Sequence, residues 1–309
     1  MLTNREGKPE RIFFRTAMVA PVVQAASRCS WAAALGIGVL CAGICRLQEK
    51  LGTPEQGWLS AVKWIWLIVI GGSALRWIGY GWQTSAWVIP GTILVLSAWT
   101  AAGGSGKSVA AGNVLRFGIL ALLGTILVSG LWDIRVENLK PGWTLSGAEL
   151  ITVLLFPAAF PTEGRKKAGW FLLTLAGVTA IVTAGVLTEG YALRHDSPFF
   201  ELSKNVQLLG TAKRYESLGA AGLTLGYYVF FTCLLRGCAD LGEAMKVDRE
   251  KGTVWLSAAG MAIGYGLEYW QYEEILALGS ALLFGLLPLI AGAAKRVKMK
   301  KLRKNEKSA

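Results

Sequence analysis

Ten apolar stretches divide this chain. They run near 12–27, 31–47, 58–80, 86–102, 110–132, 146–161, 168–189, 215–237, 253–269 and 274–294. A helix needs about 20 mostly apolar residues, with a range of about 17–25, to cross the hydrocarbon of a bilayer. The hydrophilic connections between the stretches are short, so no separate soluble domain is expected. Counting glycine, about 65% of the 309 residues are apolar, against about 45–50% in a soluble domain. Charged residues make up 17%, where about 25% is usual. That leaves too little polar surface to solvate a soluble enzyme of this size, and the composition equally excludes a disordered chain or a secreted disulfide scaffold. The expectation is an all-α integral membrane protein of about ten transmembrane helices, one domain over residues 1–309.

Charge sets the expected orientation. The net charge is +12, and residues 295–309 (KRVKMKKLRKNEKSA) hold eight Lys/Arg against the single acid Glu306. This run follows an apolar stretch directly, so it reads as a basic cytoplasmic tail held by anionic lipid headgroups and not as a nucleic-acid arm. With both termini in the cytoplasm, the inner segments hold twenty Lys/Arg and the outer ones seven; without the tail the bias is still twelve to seven. An even number of spans satisfies this. Arg15, Lys63, Arg76, Arg116 and Arg236 read as falling near span ends, where long side chains reach the headgroups. Eight of the thirteen tryptophans, among them Trp31, Trp58, Trp132 and Trp170, fall near stretch ends, as an interfacial aromatic belt requires. Trp64, Trp66 and Trp255 lie further in and read as packing or lipid-facing residues.

The first stretch is the weakest. Arg15 lies in its first turn and Pro21 at its middle, and its ending in QAAS also fits a cleaved leader. The longest connection, 190–214, carries SPFFELSKNVQLLG. There Phe199, Phe200, Leu202, Val206 and Leu209 form one apolar face, so an amphipathic helix on the outer surface is expected.

Ten spans suggest two halves of five, about 12–132 and 146–294, in which spans one and six run in opposite directions. Each has a proline near its middle: Pro21 in TAMVAPVVQAA and Pro157 in TVLLFPAAFP. Proline removes a ladder donor. Matching interrupted helices in the halves of an inverted repeat point to a binding site at the bilayer midplane, because freed amides and carbonyls offer partial charges to a small zwitterion. The fold expected is therefore the LeuT-like inverted 5+5 repeat. Ala20, Pro21, Val22 and Gln24 would form one wall of the site, and Leu155, Phe156, Pro157 and Ala158 the other.

Other chemistry is sparse. GGSGKS at 103–108 imitates a phosphate loop, but the pattern requires glycine at Ala101 and a preceding strand. The five cysteines lie in or beside apolar segments, His195 is the lone histidine, and there is no C-x-x-C. No metal site is expected. No paired carboxylates, Ser/His/Asp set or mid-span acid stands out, so neither an enzyme nor a cofactor is expected.

Several segments resemble those of a known family. SPFFELSKNVQLLGTAKRYESL (197–218) is similar to a Pro-Phe-rich outer segment followed by an R-x-E start of span eight, here Arg214 and Glu216. TSAWVIPGTILVLSAWTAAGGSGKSVAAGNVLRF (84–117) resembles the fourth span, its glycine turn and the start of the fifth. PTEGRKK (161–167) looks like the basic turn after span six, and LLPLIAGAAKRVKMKK (286–301) like the closing span with its lysine tail. Together they resemble the spore germination permeases, the membrane-embedded B subunits of nutrient germinant receptors, in the amino acid–polyamine–organocation transporter superfamily. Arg28-Cys29-Ser30-Trp31 stands where that family tends to have an acid before the tryptophan. The resemblance implies a receptor subunit in the bacterial cytoplasmic membrane, as found in the spore inner membrane. It implies sensing of an amino acid or similar small nutrient, with a membrane-embedded A subunit and a C-subunit lipoprotein as partners. The rival readings are an ion-coupled amino acid transporter of the same fold and a structural subunit with a degenerate pocket.

Overall fold

Within lipid, every backbone polar group must find its partner inside the protein, and an apolar chain does so as helix or closed barrel. The computed structural model describes residues 3–51, 57–82, 87–139, 147–159, 168–187, 197–205, 216–245, 250–266 and 273–306, and among these there is no strand. The α-helices are α1 (Thr3–Ser27), α2 (Trp31–Leu51), α3 (Gly57–Trp82), α4 (Val88–Ala102), α5 (Ser105–Trp132), α6 (Ala148–Leu155), α7 (Ala168–Val186), α8 (Pro198–Asn205), α9 (Glu216–Ala244), α10 (Glu250–Gly266), α11 (Glu273–Ser280) and α12 (Leu287–Glu306). A 3₁₀ segment, Phe156–Ala159, continues α6, and a π segment, Ala281–Leu286, joins α11 to α12.

Among the described residues, six helices are long and apolar enough to cross a membrane: Trp31–Leu51, Trp58–Ile78, Ser105–Trp132, Ala168–Val186, Glu216–Ala244 and Glu273–Val297. The protein is thus an all-α membrane protein. Val88–Ala102 and Ala148–Ala159 are shorter apolar helices; at 1.5 Å per residue α4 is about 22 Å long, less than the roughly 30 Å hydrocarbon core. Where they are described, all ten apolar stretches fall on helix, and the differences from expectation lie at the ends. α1 starts at Thr3, so Arg15 sits at its middle and not in its first turn; the Arg15 guanidinium carbon lies 5.9 Å from the Phe171 ring centre on α7. α5 starts at Ser105, so Arg116 lies about 16 Å into the helix. It is not at a span end, and its guanidinium lies over Phe117. α9 runs to Ala244 and α12 to Glu306, so Arg236 is inside a helix and the basic tail continues the last span as helix.

The bundle is built around α9, which packs on α1, α3, α4, α5, α8 and α10. Small residues set the helix crossings, as they do where lipid supplies no hydrophobic drive between helices. A Cβ at Gly226 of α9 would collide with Ala20 of α1, and one at Gly112 of α5 with the Phe13 ring. Polar pairs fasten the other crossings. Ser97 donates to the Tyr228 carbonyl at 3.0 Å, the Trp64 indole to Ser257 at 2.9 Å and the Trp66 indole to Ser280 at 3.1 Å. Trp64 and Trp66 are therefore packing residues, while Trp255 is exposed. Buried Gln48 of α2 donates to the carbonyls of Phe284 and Gly285 within the π segment. Carbonyls that a π turn displaces from the helix ladder take their donor there from a neighbouring helix.

α4 and α5 are joined by Gly103 and Gly104 alone. Gly104 has φ 95° and ψ 171°, a conformation essentially restricted to glycine. The GGSGKS stretch is thus this turn plus the first turn of α5. α8 is the expected amphipathic surface helix. Phe199 and Leu202 are buried, and Phe200 lies under Lys204 Nζ at 4.8 Å. Val206 and Leu209 lie outside the described residues.

Candidate functional site

The bundle has two ends. Arg296 of α12 donates to the Lys50 carbonyl at the close of α2, which brings the C-terminal helix to the end where α1 begins. This is the tail end. At the far end lie the close of α1 and the starts of α6 and α11, where a single side chain, Arg28, forms ion pairs with Glu149 and with Glu273, the latter at 3.0 Å.

The two prolines act differently. Pro157 has no N–H to give the Val153 carbonyl, and the Phe156 N–H is shared between the Thr152 and Val153 carbonyls. α6 tightens into 3₁₀ geometry at Phe156. Pro21 is different: α1 is α-helical from Thr3 to Ser27 through it. The expected interruption in the first span is therefore corrected to an unbroken helix. Long apolar flanks, packed on α5, α7 and α9, hold it in register despite the lost donor.

Seven of the eight predicted wall residues are buried with little or no exposure, and Pro21 likewise is buried. α1 and the α6 break converge on one face of α9. Ala20 lies against Gly226, Gln24 bonds Tyr227, and the Phe156 ring lies 5.2 Å from that of Phe230. Leu155 points elsewhere, toward Gly285 of the π segment. Val22, Pro157 and Ala158 are buried nearby in sequence, with no contact to that face described. Of the motif pair, Glu216 is the first residue of α9 and Arg214 lies outside the described residues.

A continuous polar chain runs from this junction to the far end. The Tyr227 hydroxyl donates to Gln24 Oε1 at 2.8 Å, and Gln24 Nε2 donates to the Trp77 carbonyl at 3.1 Å. The Trp77 indole N–H donates to Glu149 Oε1 at 3.0 Å, and the same oxygen accepts from Arg28 Nη1. Arg28 then reaches Glu273. Glu149 is 4% exposed, Arg28 22% and Glu273 38%. Both acids sit in the first turns of their helices, where the amide dipoles favour negative charge. Burial pulls the Arg28 guanidinium down, and the carboxylates of Glu149 and Glu273 more than offset it, so Arg28 is held above its ordinary value and stays charged.

Sequence reasoning named Gln24 and missed Tyr227, Trp77 and the Arg28 ion pairs. The available signal was three charges, Arg28, Glu149 and Glu273, at the same-side ends of three apolar stretches. A charge at the edge of a membrane span calls for a partner on a neighbouring span. Chemically the assembly has one helix tightened into 3₁₀ geometry, one buried amide held at both ends, an aromatic face, and a charged clasp above them. That arrangement suits recognition of a small polar solute. The chain matches no family model and no curated protein.

Proposed function

We propose that the chain is the membrane-embedded sensing subunit of a spore nutrient receptor, of the germination permease type, with both termini in the cytoplasm. The observation that carries the reading is the convergence of α1 (Ala20, Gln24) and the α6 break (Phe156) on the Gly226–Phe230 face of α9. An amino acid or similar nutrient binds there, its charged groups meeting the backbone polar groups displaced at Pro157 and its apolar part meeting the aromatic face. A ligand that prefers one packing of α1 and α6 shifts the population toward it, and the A subunit and the C-subunit lipoprotein receive that shift.

The pattern of helix packing supports the inverted 5+5 repeat. Pair each span with the one five later: α1 with α6, α2 with α7, α3 with α9, α4 with α10, α5 with α11. Under this exchange the α1–α7 contact becomes α6–α2, α1–α5 becomes α6–α11, and α3–α10 becomes α9–α4; all six contacts are present. The contacts α2–α7, α3–α9 and α4–α10 map onto themselves and are present as well. The likeness of the halves is partial: α1–α9 and α5–α9 would become α6–α3 and α11–α3, and those helices make no comparable contact.

The experiment is Pro157→Leu in spores carrying the full receptor. Membrane insertion is expected to be unaffected and the nutrient dose for half response to rise at least tenfold; an unchanged dose curve counts against the site. A second reading, an ion-coupled amino acid transporter of the same fold, is favoured by the Arg28 clasp, because a latch joining α1, α6 and α11 is what a solute path must open and close. Robust accumulation of labelled amino acids in proteoliposomes selects the transporter.

A further inference from the structure

A cavity lies at the tail end, away from the α1–α6 junction. Its volume is about 280 Å³, close to the lower end of the range for small-molecule sites. Three helices enclose it: α1 with Glu10, Phe13 and Phe14, α5 with Ser105, Ser108 and Val109, and α9 with Cys233, Arg236, Gly237 and Asp240.

The charge in this cavity is unbalanced toward the negative. Arg236 is already bound to Asp240 at 3.0 Å and to Glu250, so its charge is spent on two carboxylates. Glu10 forms no ion pair among the described residues. The partial positive charge at the start of α5, about half a unit, is smaller than one carboxylate. The walls are otherwise apolar or weakly polar. Phe13 and Phe14 are buried rings, and rings of this kind attract cations over their faces. Cys233 is 5% exposed, lines the cavity, and its thiol has no hydrogen-bond partner among the described residues. Ser108 donates to the Gly104 carbonyl, which leaves its oxygen free to accept.

We propose that this cavity binds a small organic ammonium, an alkylamine with a short apolar body. Its N–H groups meet the Glu10 carboxylate and the seryl oxygens, and its hydrocarbon lies against Phe13, Phe14 and Val109. A bare metal ion fits poorly, because Phe13, Phe14 and Val109 offer it no oxygen ligand and the Asp240 carboxylate is held by Arg236. An anion fits poorly because the acids repel it. The site gives the GGSGKS stretch a role other than nucleotide binding: its serines line one wall. It also bridges the first half of α1 to α5 and α9, so occupancy stabilises that half of α1 where it lies.

The test is calorimetric titration of the full chain in lipid nanodiscs with butylammonium chloride, sodium butyrate and butanol, which share one apolar body and differ in charge. Butylammonium is expected to bind saturably, and butyrate and butanol are not. Glu10→Gln, an exposed position, should weaken butylammonium binding at least tenfold, and Val109→Phe, which fills the cavity, should abolish it. Pro157→Leu should leave it unchanged, which separates this site from the nutrient site. Absence of saturable butylammonium binding, equal binding of butyrate, or a Glu10→Gln chain that binds as tightly as the native one would overturn the proposal.

Discussion

Arg28 is tied to two carboxylates of unequal burial, and the two ties differ in worth. Glu149 is 4% exposed and also accepts the Trp77 indole, whereas Glu273 is 38% exposed. Breaking a fully buried pair costs of order 3 kcal/mol, less here because Arg28 keeps Glu273; an exposed pair contributes below about 1 kcal/mol. Glu149→Gln should therefore lower unfolding stability several-fold more than Glu273→Gln, measured on the purified chain in the same detergent. Equal effects would place both acids in similar surroundings. Beside Arg28, Cys29 is buried between α1 and α2, and burial, helped by the Glu149 charge, pushes its thiol up from 9.0 to about 12. At pH 8 its thiolate is about a thousandfold scarcer than that of an unfolded cysteine, so it should resist alkylation until the chain unfolds. The folded thiol holds its proton more tightly than the unfolded one, so its contribution to stability is full below pH 9 and is lost as pH rises from 9 toward 12. Unfolding measured from pH 8 to 11 should show a shallower decline in Cys29→Ala. Gln24 was named in the sequence because it lies within one turn of Pro21. The Arg28 clasp was not: its partners lie 121 and 245 residues away, and no local pattern reports a contact so distant.

At the scale of elements, hydrophobic length located the ten apolar helices, since lipid leaves an apolar stretch little alternative, and the amphipathic face located α8. Helix ends were less legible. α1 and α12 carry their helices into charged sequence, because a helix once formed extends at little cost where it emerges from lipid, in α1 even through Pro9. Proline alone also misled. Pro157 ends the α-helical part of α6, while α1 runs through both Pro9 and Pro21. The α4–α5 turn is the place where one backbone angle matters most. Gly104→Ala forces a side chain into a conformation near φ 95° and should cost about 1–3 kcal/mol. Gly106→Ala, in the first turn of α5 with open space around it, should be neutral or slightly stabilising. Thermal unfolding of the two variants side by side checks this.

The whole molecule is a helical membrane bundle wrapped on α9, with α1 and α6 meeting over its Gly226–Phe230 face and a charged clasp closing the far end. Its class was readable from composition and stretch length alone. The convergence on α9 was not, because it depends on which faces of three distant helices turn toward one another. The nutrient-sensing account rests on that convergence. Its most direct test is equilibrium binding of the twenty labelled amino acids to the purified full chain in nanodiscs, native and Pro157→Leu. The account predicts saturable one-to-one binding of at least one amino acid to the native chain, weakened at least tenfold in the variant. A folded native chain that binds none of them, or a variant that binds equally well, would contradict it.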